Sequence, residues 1–583
     1  MSNKKIGLTI DGTRMEVPEG TTIMEAAAEL GIDIPRLCYH PRLSLAGSCR
    51  VCIVDVAERG FLASCSTEVW QDMEVQTNSP EIRQARRDIV ELLLDNHPMD
   101  CQTCERDGNC ELQNLAYSMG VRTRLFAGER KRFPKSDTSH SVVRDPEKCI
   151  LCGRCVRVCA EIQGVHNLSQ QGRGFTTVVG PAHLCEMDES VCIQCGQCIN
   201  VCPTAAFLEK QSTDDVWNAL ADPEMHVVVQ TAPSIRAAIG EGFDMPPGTD
   251  ATGRMVTALR RLGFDAVFDT NFGADLTIVE ESHEFLSRLE NGPLPMITSC
   301  SPGWISFMEK FYPALIPHAS TCKSPMSMLS TLAKTHYAQT AGIDPDKIFM
   351  VAVMPCVAKK YEMARPEHMD EQGTPYTDAV LTTRELIWMI KCYGIDLDGL
   401  PDDEFDSPLG LSSGAGDIFG STGGVMEATL RAASEMVTGK PADRLEFTEV
   451  RAVEGLRETY VAIGAHNVHV GVANGLENAK VLLDKVVAGE EDFHVIEVMA
   501  CPGGCIGGGG QPYPPPGTHI LDAEVLRKRA EVLYGIDKAK KLRKSRENPA
   551  IKELYKDFLG EPGSAKAHEL LHTSYEAKLP RGI

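Results

Sequence analysis

CILCGRCVRVC at residues 149–159 is answered by CIQCGQCINVCP at residues 192–203. Each run has the spacing C-x₂-C-x₂-C-x₃-C, and Pro203 follows the second. In paired runs of this kind, the fourth cysteine of each run ligates the cluster of the other. Cys149, Cys152, Cys155 and Cys202 then hold one [4Fe–4S] cubane. Cys192, Cys195, Cys198 and Cys159 hold a second. The pair predicts a bacterial-type 2[4Fe–4S] unit over residues 126–209. Two zinc knuckles are a poor alternative.

Upstream, RLCYHPRLSLAGSCRVC (36–52) supplies Cys38, Cys49 and Cys52, and Cys65 closes the set. Two thiolates three residues apart, with one more on either side, resemble a plant-type [2Fe–2S] loop with non-standard spacing. The flanking sequence predicts two strands, KKIGLTIDG and TRMEVPEG, joined at Asp-Gly. A helix over TTIMEAAAELG follows, with a Thr start and a Gly stop. This opening, residues 1–78, is read as a β-grasp [2Fe–2S] unit. Residues 79–125 read as a small helical unit around HPMDCQTCERDGNC, which offers His97, Cys101, Cys104 and Cys110. One imidazole and three thiolates also suit structural zinc. Lying between two iron–sulfur segments, a [4Fe–4S] cluster with one His ligand is favoured. The basic stretch 121–148 is expected to be a surface connector, and Cys185, Cys322 and Cys392 to be small buried hydrophobes.

The 583 residues suggest about four domains. A net charge of −23 argues against a nucleic-acid partner. The first residues lack a signal peptide's apolar core, and no run reaches the roughly 18 apolar residues of a membrane span. Twenty-two cysteines in such a chain point to metal-held thiols in a reducing cytoplasm.

From about residue 210 the texture changes to alternating strands and helices: MHVVVQTAPS, FDAVFDT, KIFMVAVMPC and HVGVANG. This predicts a large α/β domain over 210–512, with its chemistry on loops after strand ends. A charged helical tail, 513–583, is expected to pack along the outside. Three motifs stand out: TSCSPGW (298–304), MPCVAKKYE (354–362) and EVMACPGGCIGGGGQP (497–512). Their four cysteines can meet only through the fold. The glycine run lacks the Lys-Ser/Thr ending of a phosphate loop and carries two thiols.

On these three motifs, and over nearly all its length, the chain resembles the catalytic subunit of [FeFe]-hydrogenases. The resemblance implies an H-cluster, a [4Fe–4S] cubane joined to a di-iron unit with CO, cyanide and a dithiolate. It implies the reversible reaction 2H⁺ + 2e⁻ ⇌ H₂. Carried over position by position, Cys356, Cys501 and Cys505 become cubane ligands, with Cys505 bridging to the di-iron unit. Lys359 would hydrogen-bond a cyanide, and Met354 and Met499 would pack on the di-iron unit. Ala232, Pro233 and Ser234 would cradle another cyanide, and Phe419 would wall the pocket. The implied proton relay runs through Cys300 or Ser301, Glu281, Ser320 and Glu284, with Arg288 near the surface. Glu281 and Glu284, three apart, share a helix face.

The family commonly has two adjacent cysteines where this chain has Cys300-Ser301. Position matching places Ser301 on iron and Cys300 in the relay, whereas ligand softness favours Cys300 on iron. Both assignments stay open at this level. No G-x-G-x-x-G opens a helix after a strand, so a flavin or NAD(P) site must lie elsewhere. The expected partners are flavin/NAD(P)-binding and [2Fe–2S] subunits, with a stand-alone ferredoxin-dependent enzyme as the alternative, and maturation proteins to build the di-iron unit. Residues 1–209 alone also suit an electron-input subunit of an NADH or formate dehydrogenase, but those lack the MPC and MAC motifs. A hydrogen sensor or an iron–sulfur scaffold is the remaining non-enzymatic reading.

Overall fold

Lys5–Ile10 and Thr13–Pro18 pair antiparallel across Asp11-Gly12, both at positive φ, which is the turn that matches strand twist. The computed structural model describes residues 4–578 apart from 127, 441–443, 453, 465 and 516–517. The hairpin joins Met73–Gln76, Ile53–Val56 and Gly60–Ala63 in one mixed five-stranded sheet. Helix Ile23–Glu29 starts with a reciprocal Thr22/Glu25 capping box and packs Ala26 and Ala27 under that sheet. This is the expected β-grasp unit. Helix Pro80–Asn96, capped by Ser79, ends at His97 and packs with Glu111–Ser118 around Val90, Leu94, Leu112 and Ala116.

The two cysteine runs fold alike. Each turns through a left-handed glycine, Gly153 or Gly196, into one helical turn, Arg154–Arg157 or Gln197–Asn200. In the connector ahead of them, Arg122, Arg132 and Lys135 are exposed, and Arg124 pairs with Asp95 at 2.8 Å.

Beyond residue 210, two four-stranded sheets divide the α/β domain. One has the order Ala266–Asp269, His226–Thr231, Ile348–Met354, Ala379–Thr382, all parallel. The other runs Met296–Ile297, Val495–Met499, His466–Asn474, Leu456–Ile463, and only its last pair is antiparallel. The strands facing solvent-excluded helices are apolar throughout, as in VVV at 227–229. Helix Thr270–Asn291 is buried along most of its 22 residues and lies against Pro325–Leu332 and Gly424–Thr438.

The tail packs on the α/β domain through an apolar face and leaves Glu524, Arg527 and Glu531 exposed on the other. Leu554, Tyr555, Leu559, Leu570 and Leu571 enter a core with Val228, Phe268 and Phe272. Arg529 is fully buried and pairs with Glu241 at 2.6 Å. The charged texture of the tail reflects ion pairs aimed inward as well as a wetted face. Among the described residues no helix is long and apolar enough to cross a membrane.

Candidate active site

Four strands end around one cavity. Ala232 and Pro233 follow His226–Thr231, Cys300 and Ser301 follow Met296–Ile297, Cys356 follows Ile348–Met354, and Cys501 and Cys505 follow Val495–Met499. Ligands in open parallel sheets collect at carboxyl ends of strands for this reason: the loops there converge. Met354, Met499, Phe419 and Lys359 also line the cavity. Ser234 does not line it; its hydroxyl is buried with no hydrogen-bond partner among the described residues.

Cys356, Cys501 and Cys505 lie close enough for each to act electrostatically on another. Burial pushes the Cys505 thiol up to about 12 and raises Cys356 and Cys501 as well. Bound iron would offset this burial by holding the sulfurs as thiolates. Thiol donors, two thioether walls and the Lys359 ammonium fit an iron–sulfur group with polar diatomic ligands. Lys359 Nζ donates to Glu362 at 2.6 Å and to the Cys300 carbonyl at 3.3 Å. The glycine run presses on neighbouring backbone: a Cβ at Gly508 would stand 2.3 Å from the Pro355 carbonyl oxygen.

Behind Cys300 runs a chain of proton-bearing groups. After burial, the Glu281 carboxylate acts most strongly on the Cys300 thiol. Glu281 is fully buried and raised to about 8, first by desolvation and then by Glu284. It interacts with Ser320, whose hydroxyl donates to Glu284 at 2.9 Å. Arg288 donates to Glu284 at 2.6 Å and to the carbonyls of Pro317, His318 and Ala319. Arg288 was expected near the surface, but it is only 9% exposed because that turn wraps its guanidinium.

The accessory cysteines also gather. Cys38 hydrogen-bonds Cys49 and Cys65, and Cys65 contacts Cys52. Cys202 acts on Cys149, Cys152 and Cys155, while Cys159 meets Cys192 and Cys198. His97 is buried with Nδ1 unpartnered, near Cys101, Cys104 and Cys110 in the same loop. Among the described residues, only Glu284, Cys322 and His572 bring three potential ligand atoms within 4.8 Å of one another. A tetrahedral zinc would hold its donors about 3.8 Å apart. The His97 set does not meet that spacing among the described residues. The Glu284 trio is already engaged, Glu284 by Arg288 and Ser320, His572 by Thr321 and Glu280.

These groups are linked. Arg157 Nη2 donates to the Cys38 carbonyl at 2.6 Å and the Cys152 carbonyl at 3.4 Å. Lys148 Nζ reaches Cys104 Sγ at 3.4 Å, and the Glu111 amide donates to the Pro203 carbonyl at 3.0 Å. Gln197 Nε2 donates to the Gly507 carbonyl at 3.1 Å, tying the second cubane loop to the cavity.

Sequence reading missed several positions. Pro325 and Met326 line the cavity from CKSPM, whose Ser-Pro helix start was the available signal. Glu497 accepts from the Gly423 and Met426 amides, both at 2.7 Å, and burial raises it to about 7. Of the spare cysteines only Cys322 is buried; Cys392 is exposed at the end of Thr383–Cys392, and Cys185 is half-buried.

Comparison with known proteins agrees with this geometry. The model for the iron only hydrogenase large subunit, C-terminal domain, matches residues 225–509, and that for the iron hydrogenase small subunit matches 523–578. A 2Fe-2S iron-sulfur cluster binding domain matches 3–80, the NADH-ubiquinone oxidoreductase-G iron-sulfur binding region 86–124, and a 4Fe-4S dicluster domain 148–206. The NADP-reducing hydrogenase subunit HndD of Solidesulfovibrio fructosivorans is 51% identical, covering 97% of this chain and 98% of its own. Iron hydrogenase 1 of Clostridium pasteurianum is 42% identical, with 98% and 99% covered. The structure of [FeFe]-hydrogenase HydA1 from Chlamydomonas reinhardtii, in a variant form, is 44% identical and superposes with a TM-score of 0.56, covering 63% of this chain and 99% of that one. With such likeness along its whole length, the chain belongs to the iron-only hydrogenases, oxidoreductases acting on H₂, and carries [2Fe–2S] and [4Fe–4S] units ahead of the hydrogenase domain.

Proposed function

We propose that this hydrogenase passes electrons through one [2Fe–2S] and three accessory [4Fe–4S] clusters between an H-cluster and partner subunits that carry the flavin and NAD(P) chemistry. The observation that carries this reading is the cavity where Cys356, Cys501 and Cys505 converge beside Lys359, Met354 and Met499. When bound there, an H-cluster supplies the redox chemistry that interconverts protons and electrons with H₂. The chain's own residues do the rest. Cys356, Cys501 and Cys505 hold the cubane, and Lys359 offers its ammonium to a cyanide. Met354, Met499 and Phe419 keep water off the reacting side, and Ala232 and Pro233 complete the lining. Glu281, Ser320, Glu284 and Arg288 move protons in short hops.

NADP is favoured because the HndD relative, similar from end to end, is named NADP-reducing. A subunit without a nucleotide fingerprint needs partners for that step, and maturation proteins to deliver the di-iron unit. We assign the reaction to a reducing cytoplasm, a reading supported by thiols committed to metal instead of disulfides.

The test is H₂ evolution from reduced methyl viologen by anaerobically purified, fully matured protein, with infrared spectra of the same sample. Activity with CO and cyanide bands supports the reading. Full iron content with neither would overturn it. NADP⁺ reduction by H₂ only when flavin subunits are added would support the partner assignment; direct exchange with ferredoxin alone would replace it.

A further inference from the structure

A cubane takes four protein ligands, and three thiols, Cys356, Cys501 and Cys505, line the cavity together. The TSCSPGW wall offers two further donors, Cys300 and Ser301, which also line it. Adjacent residues in extended backbone point to opposite sides, and Ser301 is extended, with φ −99° and ψ 103°, as the residue before helix Pro302–Phe311. The two side chains therefore face different parts of the site.

Their surroundings decide which faces the cubane. Ser301 Oγ accepts a hydrogen bond at 3.4 Å from the amide of Ala500, the residue before Cys501. A Cβ at Gly303 would stand 3.1 Å from the Ala500 Cβ and 3.6 Å from the Cys195 Cβ, so this wall presses on the loop that carries Cys501. Cys300 packs with Ala274, Ile278, Phe419 and Met499, and the charges acting on it most strongly are Glu281 and then Cys505.

We propose that Ser301 Oγ, and not the Cys300 sulfur, is the fourth ligand of the cubane, which leaves Cys300 as the thiol that hands protons to Glu281. This assignment rests on the H-cluster reading above. On loading, the serine O–H bond breaks as the O–Fe bond forms, the proton leaves to solvent, and no electron is exchanged. An alkoxide is a harder donor than a thiolate and favours the more oxidised iron. The cubane is then poised at a lower potential than its thiolate counterpart.

The experiment compares full-length, anaerobically matured protein with its Ser301→Ala, Ser301→Cys and Cys300→Ala variants. Iron per chain, EPR after mild oxidation, and redox-titrated infrared bands are read on each, with the accessory-cluster signals reporting correct folding. Ser301→Ala is expected to lose one iron of the cubane and to give a three-iron signal absent from the parent. Ser301→Cys is expected to keep its iron and move the infrared titration to higher potential. Cys300→Ala should keep the cubane intact while H₂ evolution falls by ~10²-fold or more. Loss of cubane iron in Cys300→Ala but not in Ser301→Ala would overturn the assignment, as would an unchanged cubane in both. A parent protein without CO and cyanide bands would instead remove the H-cluster itself, a separate failure that takes this ligand with it.

Discussion

Glu281 holds a proton that an ordinary carboxylate would have released. Its environment raises it from 4.5 to about 8, chiefly through burial. Below that value it is an acid able to reprotonate Cys300; above it, a base able to take a proton away. H₂ evolution is therefore expected to fall as pH rises past about 8, and H₂ oxidation to gain over the same range. Viologen-coupled rates in both directions check this. Glu281→Gln should lower both by about 10²- to 10⁴-fold and erase the limb near pH 8, while leaving the infrared bands in place. The same shift bears on stability. The folded chain keeps a proton that the unfolded chain has lost, so this contribution is full below about 4.5 and gone above about 8. The order of Cys300 and Ser301 could not be read from sequence, because a shift of one residue exchanges their surroundings.

At the scale of elements, the loops after strands carry the site, and their motifs made them legible. The Thr22/Glu25 cap, the Asp11-Gly12 turn and the paired cysteine runs were equally legible, since each is a local rule of spacing. What stayed hidden depends on distant partners. Glu497 caps the start of Gly424–Thr438 from 71 residues away, and Glu362 takes hydroxyl donors from Ser324 and Ser327. Nothing in either local sequence names its partner. In the glycine run the space that side chains would need is taken by neighbouring backbone. Gly508→Ala would set a methyl against the Pro355 carbonyl at 2.3 Å and displace Cys505 or Cys356. It is expected to cost about 1–3 kcal/mol and to abolish the CO and cyanide bands, with accessory-cluster EPR unchanged.

The whole molecule is held together across its length by buried charge. Arg529 of the tail and Glu241 of the α/β domain, 288 residues apart, form a pair that excludes water. Arg529→Met would strand the Glu241 carboxylate and is expected to cost about 3–5 kcal/mol, read by anaerobic thermal or denaturant unfolding. Arg529→Met combined with Glu241→Leu should recover most of that loss, because the penalty comes from an unpaired charge and not from missing area. The tail's charged composition concealed this role, since ion pairs look the same in sequence whether wet or dry. The links through Arg157 and Lys148 tie both the Cys38 loop and the Cys104 loop to the first cysteine run, and Gln197 ties its twin to the cavity. Under the proposed wiring, two inlets feed a single junction in series with the terminus. Traffic through such a junction is limited by its slowest shared step. Two reductants offered together would queue for it, and the combined flux should stay close to that of the faster one instead of reaching their sum.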